Sequence, residues 1–256
     1  MTTPSRTEIA LITGASAGIG RAFALQLAPR CKDMILVGRD PAKLAKVVAE
    51  LESPGLTITS FALDLTVTEG VTRVMEAIRQ KGPVTILINN AGFASFGKFA
   101  ESDLDIEMAM VNLHCNASLA LCRTALPYMK NEGRGVVINV SSLGSFFPLK
   151  YSAVYGASKT FLTMFSQALQ LEVQADGIRV QCLCPSYTHS DFGDREPMAK
   201  ADATKVPDEL WWTAEDIVAV SLAQLESESG GVLCLPDESS RKLVQQALSA
   251  QAAEFA

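Results

Sequence analysis

Short apolar runs alternate with segments of helical period along the whole 256-residue chain. Ile9 to Thr13 is an apolar run that enters a glycine-rich turn, and Gly18 to Ala28 reads as a helix. Met34 to Gly38 is a second strand, after which Asp40-Pro41 opens a helix with Asp at the N-cap and Pro at the first helical position. Thr57 to Leu63 is a strand, and Thr66 to Lys81 a helix whose Thr66 and Glu69 form a capping box. Val84 to Ile88 is the next strand. Ser102 to Lys130 is a long helical stretch with a bend, ended by Gly133-Arg134-Gly135. Then follow a strand at Val136 to Val140, a helix at Ala153 to Ala175, a strand at Arg179 to Leu183 and a helix at Thr213 to Leu225. Gly231 to Leu235 is the last strand, with a C-terminal helix from about Ser240.

The strands are close to continuously apolar, which implies burial on both faces and hence a parallel sheet wrapped by helices. There is no repeat, low-complexity tract or linker, so one doubly wound α/β domain is expected over residues 1–256. The segment from Asp191 to Trp212 breaks the rhythm with mixed polar residues, two prolines and two tryptophans, and reads as an insertion or substrate lid.

Composition narrows the class. With 48% apolar and 20% charged residues the chain suits a soluble domain with a sizeable core. A net charge of -6 and no Lys/Arg cluster argue against nucleic-acid binding. No apolar run approaches the length of a membrane span, and the first residues contain no apolar signal-peptide core. The six cysteines form no C-x-x-C, and Cys182-Leu183-Cys184 on a strand would place both thiols on one face as packing. Two histidines are too few for an obvious zinc site. A reduced, cytoplasmic, metal-free protein is expected.

The candidate chemistry starts with Tyr155 and Lys159, one helical turn apart on a shared face. A neighbouring ammonium would lower the phenol's pKa and fit it for general acid/base work. Ser142 lies thirteen residues upstream of Tyr155, with Ser141 as the neighbouring candidate. Between the first strand and first helix stands Thr13-Gly-Ala-Ser-Ala-Gly-Ile-Gly20, a turn whose amides and helix N-terminus can receive a pyrophosphate. Gly14-Ala-Ser16-Ala-Gly18 within it also matches the nucleophile elbow of serine hydrolases, with His189 and Asp191 or His114 as partners. Two features oppose that reading: the elbow would fall on the first strand with no oxyanion loop before it, and Gly20 would have no role.

Taken together, Thr13-Gly-x-x-x-Gly-x-Gly20, Asn89-Asn-Ala-Gly92, Ser142 and Tyr155-x-x-x-Lys159 resemble the short-chain dehydrogenase/reductase family in order and spacing, over nearly the whole chain. The resemblance implies a Rossmann fold of about seven strands, a nicotinamide cofactor, and hydride transfer between that cofactor and a ketone or secondary alcohol. It implies a catalytic set of Asn112, Ser142, Tyr155 and Lys159, with Ser142 and Tyr155 on the carbonyl oxygen, Tyr155 as proton donor and Lys159 also on the nicotinamide ribose. Asn112 would hold a proton-relay water through kinked helix backbone. Cofactor contacts are implied for Gly14, Ser16, Ala17, Gly18, Ile19 and Gly20, for Asp64 and Leu65 at the adenine, and for Asn90, Ala91 and Gly92.

NAD-preferring members carry an acid at the end of the second strand; here Arg39 stands there, with Lys43 a helical turn on. A guanidinium and an ammonium suit a 2'-phosphate, so NADP(H) is favoured over NAD(H), with Asp40 assigned to the helix N-cap. Pro185 and Thr188 match positions near the nicotinamide carboxamide, while Ser186 replaces the usual glycine and is expected to cost backbone freedom. Phe93, Phe96, Phe146, Phe147, Met198, Leu210, Trp211 and Trp212 fall in loops expected around the pocket mouth. With Ser142 and Tyr155, Phe93 and Phe147 are the candidate contacts for an apolar carbonyl or alcohol substrate. The resemblance further implies a homodimer or homotetramer. The alternative, a cofactor-sensing protein without catalysis, is opposed by the filled catalytic positions.

Overall fold

The computed structural model describes residues 7–189, 211–227 and 230–255. Among these, seven parallel strands form one sheet in the order β3-β2-β1-β4-β5-β6-β9. They are β1 (Glu8–Thr13), β2 (Cys31–Gly38), β3 (Thr57–Ala62), β4 (Ile86–Asn89), β5 (Gly135–Val140), β6 (Ile178–Leu183) and β9 (Leu233–Cys234). Alternation along the strands feeds two cores, as expected for a sheet covered on both faces. Ala10, Ile12, Met34 and Leu36 point to helices α1 (Gly18–Leu27), α2 (Pro41–Leu51) and α7 (Ala214–Glu226). Ile9, Leu11, Ile35 and Val37 point the other way, to α3 (Thr68–Lys81), α5 (Ser118–Glu132) and α6 (Ala153–Val173). A further helix, α8 (Glu238–Ala253), is capped by the Asp237 side chain.

The connection order reverses between β1 and β4, so their C-terminal ends flank the crevice where open α/β sheets bind ligands. The glycine-rich turn and the Asn89–Phe93 segment lie on the two sides of that switch point.

Three expectations need correction. Helix α3 starts at Thr68 behind an uncapped Val67, not at Thr66. The Asp64 carboxylate accepts the Thr66 N–H at 2.8 Å, forming an Asx turn that takes the chain away from the proposed box. The bend expected in Ser102 to Lys130 is a break into α4 (Leu104–Val111), a π-helical segment at Asn112–Ala117, and α5. The last strand is only Leu233–Cys234. The sequence pattern also gave no warning of a small parallel pair, β7 (Tyr187–His189) with β8 (Trp211–Thr213). Most of the proposed lid, including Met198 and Leu210, lies outside the described residues; its last two positions, Trp211 and Trp212, belong to β8.

Candidate functional site

The turn after β1 is built by hydrogen bonds to the end of β4. Thr13 Oγ1 accepts the N–H groups of Asn90 and Ala91 at 2.9 and 3.0 Å, and the Asn90 amide donates to the carbonyls of Thr13 and Gly14. This close packing explains two glycines. Gly14 has a φ of +66°, and a Cβ there would stand 2.7 Å from the Asn90 amide nitrogen; at Gly20 a Cβ would collide with the Gly14 carbonyl oxygen. Ala17 begins α1 with no side-chain cap, and the first turn holds no acid. The opening amides of α1 therefore face no carboxylate or hydroxyl of their own, an arrangement that fits a pyrophosphate. The Asn90 side chain, expected on the cofactor, is committed to this turn.

Gly38, at the end of β2, lies against Ser16, whose Oγ would be 3.2 Å from a Cβ at that position. Arg39 and Lys43 follow on the exposed surface. Asp40 Oδ1 accepts from the amides of Ala42 and Lys43 at 2.9 and 3.0 Å, so the carboxylate caps α2 as anticipated. The Lys43 amide bond is the main influence holding its pKa below the usual aspartate value. Asp64 is exposed, whereas the Leu65 side chain is buried in the core, which leaves its main chain for any adenine contact.

Strand β5 delivers two serines, and their partners separate them. Ser141 is buried, its hydroxyl bonded to the Lys159 carbonyl at 2.8 Å and to Thr163. Ser142 is half-buried; its Oγ accepts the Gly144 amide at 3.1 Å and is hydrogen-bonded to the Tyr155 hydroxyl. Lys159 lies on the same face of α6, its Nζ 5.9 Å from the Tyr155 ring centroid and donating to the Val140 carbonyl at 2.8 Å. Ser142, Tyr155 and Lys159 thus converge at the C-terminal edge of the sheet. Asn112 begins the π segment, and its side-chain oxygen accepts from Asn116 at 2.9 Å. The i→i+5 spacing of a π turn frees a carbonyl, which suits the expected water site.

The expected influence of Lys159 on Tyr155 is not borne out. Burial pushes the Tyr155 phenol above its ordinary value, opposed by the Ser142 hydrogen bond, with Tyr187 adding to the rise. Burial also pulls Lys159 from 10.5 to about 8, opposed by Cys182, Cys115 and Cys184. In this geometry desolvation outweighs the attraction between ammonium and phenolate.

The loop after β6 joins the same edge: Leu143 N donates to the Pro185 carbonyl at 2.9 Å, and Thr188 enters β7 with its hydroxyl donating to the Ser186 carbonyl. Ser186 carries no strain, because Tyr151, with a φ of 70°, is the only described non-glycine residue in the left-handed region. The expected cost of replacing glycine is therefore absent. Tyr151 accepts the Gly97 amide at 2.8 Å and meets the Phe96 ring edge-on, joining two loops expected at the mouth. Phe93, expected on the substrate, is buried in the core instead, while Phe147 is half-buried. Trp211 stacks on His189 at 4.6 Å and meets Tyr187 at 5.5 Å, and Trp212 donates its indole N–H to Asp237 at 3.0 Å. Tyr187, close enough to act on Tyr155, escaped the sequence reading because nothing local distinguishes it from the loop.

Among the described residues the hydrolase geometry is not formed around Ser16, and Asp191, the acid offered for it, lies outside them. Both His114 nitrogens are engaged, with Ser158 and with the Phe93 amide, and His189 is stacked on Trp211. Among the described residues no cluster suits a metal ion, and no helix is long and apolar enough to cross a membrane. The six cysteines are free thiols, with the sulfurs of Cys182 and Cys184 3.7 Å apart in the interior.

Comparison with known proteins agrees with this architecture. The family model described as short chain dehydrogenase matches residues 8–200. An uncharacterized oxidoreductase of Staphylococcus epidermidis is 28% identical over 210 residues, 79% of this chain and 89% of the relative. A short-chain dehydrogenase from Sphingobium yanoikuyae in complex with NADPH superposes with a TM-score of 0.84 at 28% identity, covering 97% of this chain and 94% of the other. The bulky-bulky ketone specific alcohol dehydrogenase from Comamonas testosteroni gives 0.80 at 26% identity, over 98% and 95%. With its seven-stranded parallel sheet, its glycine-rich turn and the matched span, this chain belongs to the short-chain dehydrogenase family of oxidoreductases.

Proposed function

We propose that the chain is an NADP(H)-dependent oxidoreductase acting between a ketone and its secondary alcohol, with an apolar, bulky substrate. The observation that carries the reading is the Ser142–Tyr155 hydrogen bond beside Lys159, at the sheet edge reached from the glycine-rich turn. The nicotinamide, when bound, supplies the hydride that reduces the carbonyl carbon. Negative charge then develops on the carbonyl oxygen, and two preplaced hydroxyls meet it. Tyr155 gives up its proton to that oxygen, and its elevated pKa keeps it protonated and ready at neutral pH. Ser142 holds the oxygen in place. Lys159 binds the ribose and carries positive charge toward the phenolate left behind, while Asn112 anchors the water through which the proton is replaced.

The uncapped start of α1 supports a pyrophosphate site, and exposed Arg39 and Lys43 support a 2'-phosphate, as does the NADPH-bound relative. A bulky ketone is supported by Tyr187, which acts on Tyr155 and packs with Trp211 and, through it, His189, and by the relative's stated specificity. A homodimer or homotetramer is supported by apolar side chains left on the outer faces of α4 and α6, among them Leu104, Met108 and Met164. Beside them lies an apolar depression of about 460 Å³ lined by Phe99, Val111, Cys115 and the start of α6.

The test is loss of reduced-nicotinamide absorbance with a panel of ketones and aldehydes, NADPH against NADH. Turnover of bulky aryl or alicyclic ketones with NADPH is expected. Tight NADPH binding with no turnover on any member would favour the sensor instead.

A further inference from the structure

His114 stands two residues past Asn112, inside the π segment, and is 1% exposed. A buried imidazole needs partners at both nitrogens or it carries the cost of an unmade bond. Both partners are present, and one of them settles the proton's position. The Phe93 backbone amide lies 3.3 Å from Nε2, and an amide can only donate, so Nε2 carries the lone pair. In a neutral ring the proton is then on Nδ1, which donates to Ser158 Oγ at 2.9 Å. Ser158 in turn donates its own proton to the Tyr155 carbonyl at 2.8 Å. Every donor has one acceptor, and the direction runs one way from Phe93 to Tyr155.

The surroundings keep the ring neutral and fixed. Burial and the Lys159 ammonium hold the His114 pKa well below 6.5. The ring meets Tyr155 edge-on with centroids 6.1 Å apart and Phe93 at 6.2 Å. A Cβ at Gly92 would lie 2.9 Å from Nε2, too close for a real side chain, so glycine there lets the imidazole approach this segment. Three elements meet here: the segment after β4, the π segment with Asn112, and the turn of α6 that carries Tyr155 and Lys159.

We propose that His114 and Ser158 are positioning residues, a one-way hydrogen-bond relay that sets the Tyr155–Lys159 turn against the Asn112 segment. The service to Tyr155 rests on the reductase reading; the relay itself does not.

Nitrogen-15 NMR of the intact protein tests the relay without turnover. The chain has two histidines, so comparison with His189→Gln assigns the His114 signals. The expected spectrum is a single Nδ1–H tautomer that stays neutral as the pH falls to 6.5. An Nε2–H ring, a tautomer mixture or an imidazolium would overturn the relay. For the positioning role, S158A removes the central hydroxyl and S158T retains one. S158A is expected to keep the Nδ1–H tautomer that the Phe93 amide fixes, to lose the downfield shift that hydrogen bonding gives the Nδ1 proton, and to lower kcat about tenfold to a hundredfold, with the KM for NADPH within about twofold. Activity should follow the Nδ1–H hydrogen bond, read from that proton's shift, across wild type, S158A and S158T; any of these proteins in which the two part company would overturn the role. An inactive wild type would defeat the reductase reading, and the relay would then stand or fall on the tautomer alone.

Discussion

Lys159 offers a prediction in which stability and function pull in opposite directions. The residue is 4% exposed, and burial lowers its pKa from 10.5 to about 8. Between those two values the unfolded chain holds a proton that the folded chain has largely released. Stability contributed by this site therefore rises with pH across the window, and below pH 8 the full cost of burying the ammonium is present. At about 1.36 kcal/mol per pH unit the interval corresponds to about 3 kcal/mol. In the unfolded chain tyrosines and cysteines titrate over the same range, so the quantity to measure is a difference. Urea unfolding of wild type and Lys159→Met, each followed from about pH 8 to 10.5, removes the shared contributions. The wild type should gain about 3 kcal/mol on the variant over that interval. A constant difference would show that the ammonium is not desolvated and would refute the reasoning.

The same titration should appear in catalysis: kcat/KM for carbonyl reduction should decline above about pH 8 as Lys159 loses its charge, while Tyr155 remains protonated. A profile flat to pH 10.0, the ordinary tyrosine value, would contradict the role given to Lys159. Arg39→Ala should raise the NADPH KM by about tenfold or more and leave the NADH KM nearly unchanged, as expected from losing a charge-assisted phosphate contact. Asp40→Ala should instead lower the unfolding midpoint in urea through loss of the α2 cap, with cofactor preference unaltered; a switch in preference would show that Asp40 faces the ribose. Gly20→Ala should abolish measurable NADPH binding by fluorescence titration, because the new methyl meets the Gly14 carbonyl and forces the turn apart; retained binding would contradict the packing argument.

Much of the fold was legible because its strands are buried on both faces and their residues feed opposite cores in strict alternation, as Ile9 and Leu11 against Ala10 and Ile12 show. The Tyr155–Lys159 spacing was legible for a related reason: helix geometry alone puts positions four apart on one face. What escaped depended on contacts between distant segments. Nothing in the local composition distinguishes a π segment at Asn112 from continuous helix, nor signals that Tyr187 and Trp211 pair across 23 intervening residues. Thr66 had the side chains for a capping box, but the nearer Asp64 carboxylate took its amide first. His114 was visible only as one of two scattered histidines, and its meaning came from Phe93 and Ser158, which the fold alone brings to its two nitrogens. The pKa of Tyr155 could not be read from a neighbouring lysine, because burial outweighs that neighbour.

The central claim is that Tyr155, held by Ser142, delivers the proton that completes carbonyl reduction. Single-turnover oxidation of bound NADPH by a bulky ketone, in wild type and Tyr155→Phe, tests it most directly. The account predicts that the variant binds NADPH as wild type does and oxidises it about a hundredfold to ten-thousandfold more slowly. Oxidation at the wild-type rate without the Tyr155 hydroxyl would contradict it.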